Sequence, residues 1–232
     1  MNAPIFEIFS SIQGEGLLIG KRQIFVRFSG CNLNCNYCDT QKSKDKSNGS
    51  LLSVDEVVLK IEKLYSPDLH SISFTGGESS LYPDFINEVS KKLTYPIMLE
   101  TNGTLYENID KLNNLDYVSL DIKLPEHFND DSFNEVFQNE IKSLNLLISK
   151  SIIIYCKLVV LPSTKIKSIK HVMKNLLEEI SNKKEIQIVV QPSSPLSDWK
   201  DLKSNLFEIS KTVGEYFPVS TIPQIHKILN IE

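Results

Sequence analysis

Cys31, Cys35 and Cys38 stand within eight residues, with three residues between the first pair and two between the second, just after an apolar run. The count of three is informative. A closed structural zinc site or a fully ligated iron–sulfur cubane takes four protein ligands. Three thiolates on one short loop can instead hold three irons of a 4Fe-4S cluster and leave the fourth iron open to a small molecule. The Gly and Asn residues interleaved with the cysteines let the loop curl, and Tyr37, just before the third cysteine, is placed to flank a ligand. Spacing alone leaves zinc as available as iron–sulfur. A zinc site would need a distant fourth ligand, and His70, His127, His171 and His226 show no ligand spacing to another His or Cys. Cys156, inside the apolar run 152–160, reads as a buried small hydrophobe.

The three-then-two spacing with an aromatic before the last cysteine resembles the signature of the radical S-adenosylmethionine family. The resemblance implies a 4Fe-4S cluster whose open iron is chelated by the amino and carboxylate groups of S-adenosylmethionine. One electron, from a flavodoxin-like or ferredoxin-like donor, then cleaves the cofactor to a 5'-deoxyadenosyl radical. The cofactor supplies that chemistry, while the protein positions and shields it.

The rest of the chain must supply that frame. Its 232 residues, 41% hydrophobic, suit a single α/β domain over 1–232 with a cluster loop at 31–50. The net charge of -4, with both signs interspersed, gives no basic stripe for nucleic acid and no polybasic segment for a membrane. No apolar run approaches the roughly 20 residues of a membrane span, and the N-terminus lacks the pattern of a secretory signal. Four cysteines, three of them crowded, suit a reducing cytoplasm better than a disulfide framework.

Six apolar β-runs, at 23–29, 71–74, 97–100, 117–120, 152–160 and 186–190, alternate with helical patterns. Ser53 and Glu56 form a capping box ahead of the first helix, whose stripe Val54, Val57, Val58, Ile61 and Leu64 is core. Strands alternating with helices imply a parallel, right-handed sheet, and six units are too few to close an eight-fold barrel. The expected fold is therefore an open partial (β/α) barrel. Thr75, Glu100, and Asp121 with Lys123 follow successive runs and should gather at one rim, the end at which such sheets bind ligands. Residues 41–50, with no apolar side chain, read as a mobile surface loop.

Several segments narrow the resemblance. Gln13, Gly14, Glu15 and Gly16, shortly before Arg27 and Cys31, resemble one branch of the family, the 7-carboxy-7-deazaguanine synthases of the queuosine and deazapurine pathway. Pro223, Gln224 and His226 resemble that branch again near the C-terminus. Gly76, Gly77 and Glu78 resemble the family's Gly-Gly-Glu turn, although Ser79 stands where a Pro is common. The branch implies conversion of 6-carboxy-5,6,7,8-tetrahydropterin to 7-carboxy-7-deazaguanine with loss of ammonia, by a homodimer. It implies substrate binding by Ile12, Gln13, Gly14, Arg27 and Thr75, and magnesium held by Thr40. S-adenosylmethionine would meet Tyr37, Cys38, Asp39, Gly77, Asp121, Ile122, Lys123, Gln191, Pro192, Ser193 and Ser194. Cys31, Cys35 and Cys38 would ligate the cluster. No side chain is needed as a general base for the hydrogen-transfer step. His226 would help shape the substrate side, and the carboxylate of Glu232 is near the substrate in some relatives. Two other readings stay open at this level: a glycyl-radical activase sharing the cluster, and a metal-binding module without turnover.

Overall fold

Alternation along the strands decides what each face of the sheet is for. On one face lie Ile24, Val26, Phe28, Ile72, Phe74, Leu99, Val118, Leu120, Leu158, Val160, Ile188 and Val190, all in the large hydrophobic core. Most of the residues that alternate with them are polar or charged: Gln23, Arg27, Ser71, Ser73, Thr75, Glu100, Ser119, Asp121 and Lys157. An apolar face must be covered, and helices cover it. The polar face is left for chemistry.

The computed structural model describes residues 1–150, 152–181 and 186–231. Among them, nine strands form one sheet, with β3 (Ser50–Ser53) and β1 (Asn2–Ile12) at one edge, in the order β3-β1-β2-β4-β5-β6-β7-β8-β9. The parallel part comprises β2 (Arg22–Phe28), β4 (Leu69–Gly76), β5 (Ile97–Thr101), β6 (Tyr117–Asp121), β7 (Ile153–Val160), β8 (Gln187–Pro192) and β9 (Val219–Thr221). These are the six expected strands and a seventh, β9, whose three residues are too short for period-2 alternation to reveal. The end strands β3 and β9 pair on one side each, so the barrel stays open.

Helices α1 (Val54–Lys63), α2 (Pro83–Ser90), α3 (Tyr106–Asp110), α4 (Phe133–Ile148), α5 (Ile166–Glu179) and α6 (Lys203–Gly214) are amphipathic or short connectors on the apolar face. α1 starts on the Ser53–Glu56 capping box and buries Val57 and Ile61. α5 buries Ile169, Val172, Met173 and Leu176. Each such side chain contributes about 2 kcal/mol on burial. On the polar face a small plug of Met98, Tyr155 and Val189, with Leu17, Leu18, Tyr117 and Ile222 against it, fills the space below the site. No helix among the described residues is long and apolar enough to cross a membrane.

Ahead of the expected strands, β1 (Asn2–Ile12) pairs antiparallel with both β2 and β3 (Ser50–Ser53), extending the parallel sheet at its edge. Residues 41–50 lie mostly exposed at the surface, as expected, but carry local structure. They form two 3-10 turns, Gln41–Lys44 and Lys46–Asn48, before entering β3, and Ser43 is buried between them and the cysteine loop. Local hydrogen bonds hold this polar stretch in place: Ser43 Oγ donates to the Thr40 carbonyl, and the Ser47 N–H to Asp45.

Candidate active site

The cysteine loop leaves the end of β2 and is pinned from three sides. At its start, the Gly77 N–H donates to the Phe28 carbonyl at 3.1 Å and the Glu78 N–H to the Gly30 carbonyl at 2.7 Å. A Cβ on Gly77 would lie 2.2 Å from the Gly30 oxygen, so only glycine permits this approach. Each asparagine in the loop has a partner: Asn32 donates to Thr104 Oγ1 at 2.7 Å and accepts from Asn102 at 3.0 Å, and Asn34 accepts from Lys44. Asn36 uses both its backbone N–H, at 3.0 Å to the His127 carbonyl, and its side chain, at 2.8 Å to the Glu126 carbonyl. Tyr37 packs on His127, ring centroids 4.4 Å apart. His127 is fully buried; burial, helped by nearby Lys123, pushes it down to about 3, so its Nδ1 stays unprotonated to accept the Leu124 N–H.

The three thiols are free, partly exposed, and line a single cleft of about 240 Å³. Among the described residues no three His, Cys, Asp or Glu side chains converge as one metal ion would require. A cubane asks for something else, since its three cysteines ligate three different irons. Three unpaired thiols on one pinned loop facing a cleft fit that group.

Charged groups at the strand ends form a chain along the cleft wall. Lys123 donates to Asp121 at 2.7 Å and to the Tyr37 hydroxyl at 2.9 Å. Lys157, on β7, pairs with Glu15 at 2.9 Å and with Asp121 at 3.4 Å. Burial alone would raise the carboxyls of Glu15 and Asp121, but the ammonium groups beside them outweigh it and hold both below the usual carboxylate range. The same contacts outweigh the burial of Lys123 and Lys157 and hold both well above the ordinary lysine value. Glu100 accepts from Gln13 and from Thr75, each at 2.9 Å, joining the turn after β1 to β4 and β5. Glu78 is buried, and burial raises its carboxyl although it accepts from Thr101, the Asn102 N–H and the Ser80 N–H. It thereby ties the Gly-Gly-Glu turn to the β5 end that holds Asn32.

The C-terminal segment closes the mouth. The Ile225 N–H, at the start of α7 (Ile225–Leu229), donates to the Gly14 carbonyl at 3.0 Å, and the Lys227 ammonium pairs with Asp39. Gly14 lies so close to His226 that a Cβ would meet its Nδ1 at 2.1 Å.

Of the residues expected on the substrate side, Gln13, Gly14, Arg27 and Thr75 line the cleft. So do Cys31, Cys35, Tyr37, Cys38, Asp39 and Thr40 from the cluster loop. Gly77, Asp121, Lys123, Gln191, Ser193 and Ser194 line it from the strand ends, and His226 from the C-terminal segment. Ile12, Ile122 and Pro192 do not. Ile122 is 1% exposed and belongs to the helix-covered core, because neighbours on an extended chain point to opposite faces. Glu232 lies outside the described residues. Arg27 keeps a partner within the chain: its Nε donates to Glu7 at 2.7 Å and its guanidinium lies over Phe9. Glu15 and Gln224 stand in the two motifs quoted from the sequence but carried no assigned contact there, and Lys157 was not singled out at all; all three line the cleft. A signal existed for Lys157, the one cation between 152 and 160 in an otherwise apolar run.

The model of the Radical SAM superfamily matches residues 25–204. The 7-carboxy-7-deazaguanine synthase of Methanothermobacter thermautotrophicus is 46% identical over 243 residues, covering 100% of this chain and 98% of that protein. The synthase of the same name from Methanocaldococcus jannaschii is 38% identical, covering 98% and 99%. Among solved structures, QueE from Escherichia coli aligns with a TM-score of 0.64 at 19% identity, over 95% of this chain and 94% of that one, a likeness of fold.

Proposed function

We infer that this chain, which belongs to the 7-carboxy-7-deazaguanine synthase family within the Radical SAM superfamily, converts 6-carboxy-5,6,7,8-tetrahydropterin to 7-carboxy-7-deazaguanine and ammonia. The conversion is redox-neutral: ring contraction expels one nitrogen as ammonia, and no other atom is gained or lost. The observation that carries the reading is that the cysteine loop, the Gln13–Gly14 turn and Arg27 line one small cleft in a chain matched end to end by such synthases.

When bound, the cluster and S-adenosylmethionine supply one-electron cleavage and a carbon radical that abstracts hydrogen from the substrate. The chain's own residues bind, orient and shield. Cys31, Cys35 and Cys38 hold the cluster. The Gly77 and Glu78 N–H groups are taken up by the end of β2 and the start of the cysteine loop, so what the Gly-Gly-Glu turn offers is carbonyl oxygen, suited to an ammonium such as the cofactor's amino group. Tyr37, Asp39, Asp121, Lys123 and the segment 191–194 form the cofactor wall, Ile122 and Pro192 serving through their backbone. Gln13, Gly14 and Thr75 face the pterin, with Ile12 as the strand end that sets their turn. Glu7 engages only Nε of Arg27, which leaves the outer guanidinium nitrogens for the substrate carboxylate.

Thr40 lines the same cleft and brings one oxygen for Mg²⁺; a hard cation would complete its shell from substrate and water. A low-potential flavodoxin-like or ferredoxin-like protein supplies the electron, in the cytoplasm, to a homodimer. An anaerobic assay of reconstituted, reduced protein with the carboxytetrahydropterin, S-adenosylmethionine and Mg²⁺ tests the reading by mass. Multiple turnovers of 7-carboxy-7-deazaguanine that vanish in Cys35→Ala support it. Slow release of 5'-deoxyadenosine without that product sinks the substrate assignment.

A further inference from the structure

Gln224 is 6% exposed, and both ends of its amide are in use. Nε2 donates to Glu15 at 2.6 Å and to Asp39 at 3.1 Å, and Oε1 accepts from Ser194 Oγ at 2.6 Å. A primary amide has two N–H donors, so both are satisfied here by carboxylates. The three partners belong to three separate segments: the turn after β1, the residue following Cys38, and the loop after β8. Glu15 is tied onward through Lys157 to Asp121, and the backbone beside Gln224 is anchored at Gly14. A neutral donor is required at this point. A carboxylate would face two others, and an apolar side chain would leave Glu15 and Asp39 each short of a hydrogen bond.

We propose that Gln224 is a positioning residue that couples the substrate side of the cleft to the cofactor side, so that S-adenosylmethionine tightens binding of the pterin through this amide. The proposal rests on the functional reading above, which places Asp39 and Ser194 at the cofactor and the Gln13–Glu15 turn at the substrate. A ligand that orders Asp39 and Ser194 fixes the amide between them. The amide in turn fixes Glu15, so the second ligand meets a turn already ordered and binds more tightly.

The test is anaerobic calorimetric titration of the cluster-loaded full-length protein with 6-carboxytetrahydropterin, with and without S-adenosylmethionine. Wild type should bind the pterin about tenfold more tightly with S-adenosylmethionine present, the worth of one hydrogen bond to a charged group. Gln224→Leu should bring that ratio to within about twofold, while the change S-adenosylmethionine induces in the cluster's electron paramagnetic resonance signal persists. Gln224→Asn, an amide one methylene too short to span its partners, should lose the ratio likewise and serves if the leucine variant folds poorly. Lys227→Ala removes a half-exposed ion pair to Asp39 and should leave the ratio within about twofold of wild type. A wild-type ratio in Gln224→Leu or Gln224→Asn overturns the proposal. So does an equal loss in Lys227→Ala, which would assign the coupling to the ion pair. Pterin binding by wild type without any ratio overturns the coupling alone, whereas no pterin binding under either condition overturns the functional reading and the coupling together.

Discussion

Gly77→Ala should disable the cluster loop. The added Cβ would lie 2.2 Å from the Gly30 oxygen, 2.7 Å from the Gly30 carbonyl carbon and 2.9 Å from the Ser43 oxygen, all backbone atoms. Relieving such contacts to ordinary carbon–oxygen separation requires an opening of about 1 Å. That opening stretches both the Glu78–Gly30 bond, now 2.7 Å, and the Gly77–Phe28 bond, now 3.1 Å, beyond hydrogen-bonding range. Two lost bonds at about 1 kcal/mol each, with about 1–3 kcal/mol for the forced contact, give a loss of about 3–5 kcal/mol. Urea unfolding of the apoprotein should show it as a midpoint lowered by about 1–2 M. Iron retained after reconstitution should fall in parallel, because the same two bonds set where Cys31 begins. Gly20→Ala is the control. A Cβ there meets nothing within 4 Å and only a φ of +85° opposes it, so the cost should be about 1 kcal/mol with full iron loading. Gly77→Ala unfolding within 0.5 kcal/mol of wild type with full iron would refute the reasoning.

Lys157→Met leaves Glu15 and Asp121 without their shared cation and should cost about 3 kcal/mol by denaturant unfolding at pH 7, the low end for a broken buried pair because Gln224 and Lys123 keep their bonds. Both carboxyls are held below their unfolded values, so the stability they contribute is present above about pH 4 and lost as pH falls through the folded values; the deficit of the variant should shrink on acidification. Glu140 is fully buried on α4; burial raises its carboxyl well above the ordinary value, and it accepts the Lys123 N–H at 3.1 Å. A raised carboxyl costs stability as pH climbs above its unfolded value near 4.3, so Glu140→Gln should match wild type at low pH and unfold at higher denaturant at pH 7. Gly14→Ala meets a side chain, His226, which can rotate away, so its melting temperature should stay within about 3 °C while KM for the pterin rises at least fivefold. An unchanged KM would remove His226 and its segment from the substrate side.

The chemistry of the site is local, and so it was legible in the sequence. Cys31, Cys35 and Cys38 are fixed to one loop by their spacing. Strand periodicity identified six of the seven parallel strands and placed Thr75, Glu100 and Asp121 at their ends. What depends on partners distant in the chain was not legible. β1 becomes a full strand because β2 and β3 pair with it on either side, and residues 41–50, besides their local hydrogen bonds, are tied to the cysteine loop by the Gly30 N–H on the Ser43 carbonyl and by Lys44 on Asn34. Ile122 and Pro192, expected at the cofactor with their neighbours, are not among the residues lining the cleft, in keeping with alternation along an extended chain. The ion pair of Lys157 with Glu15 spans 142 positions and the bond from Gln224 to Glu15 spans 209. Neither residue carries a periodicity or spacing that marks its partner. Sequence determines which side chains are available and which face of each element they occupy; only the assembly of the strands into one open sheet, with the C-terminal segment across the mouth of the cleft, brings charges this far apart in the chain within hydrogen-bonding reach.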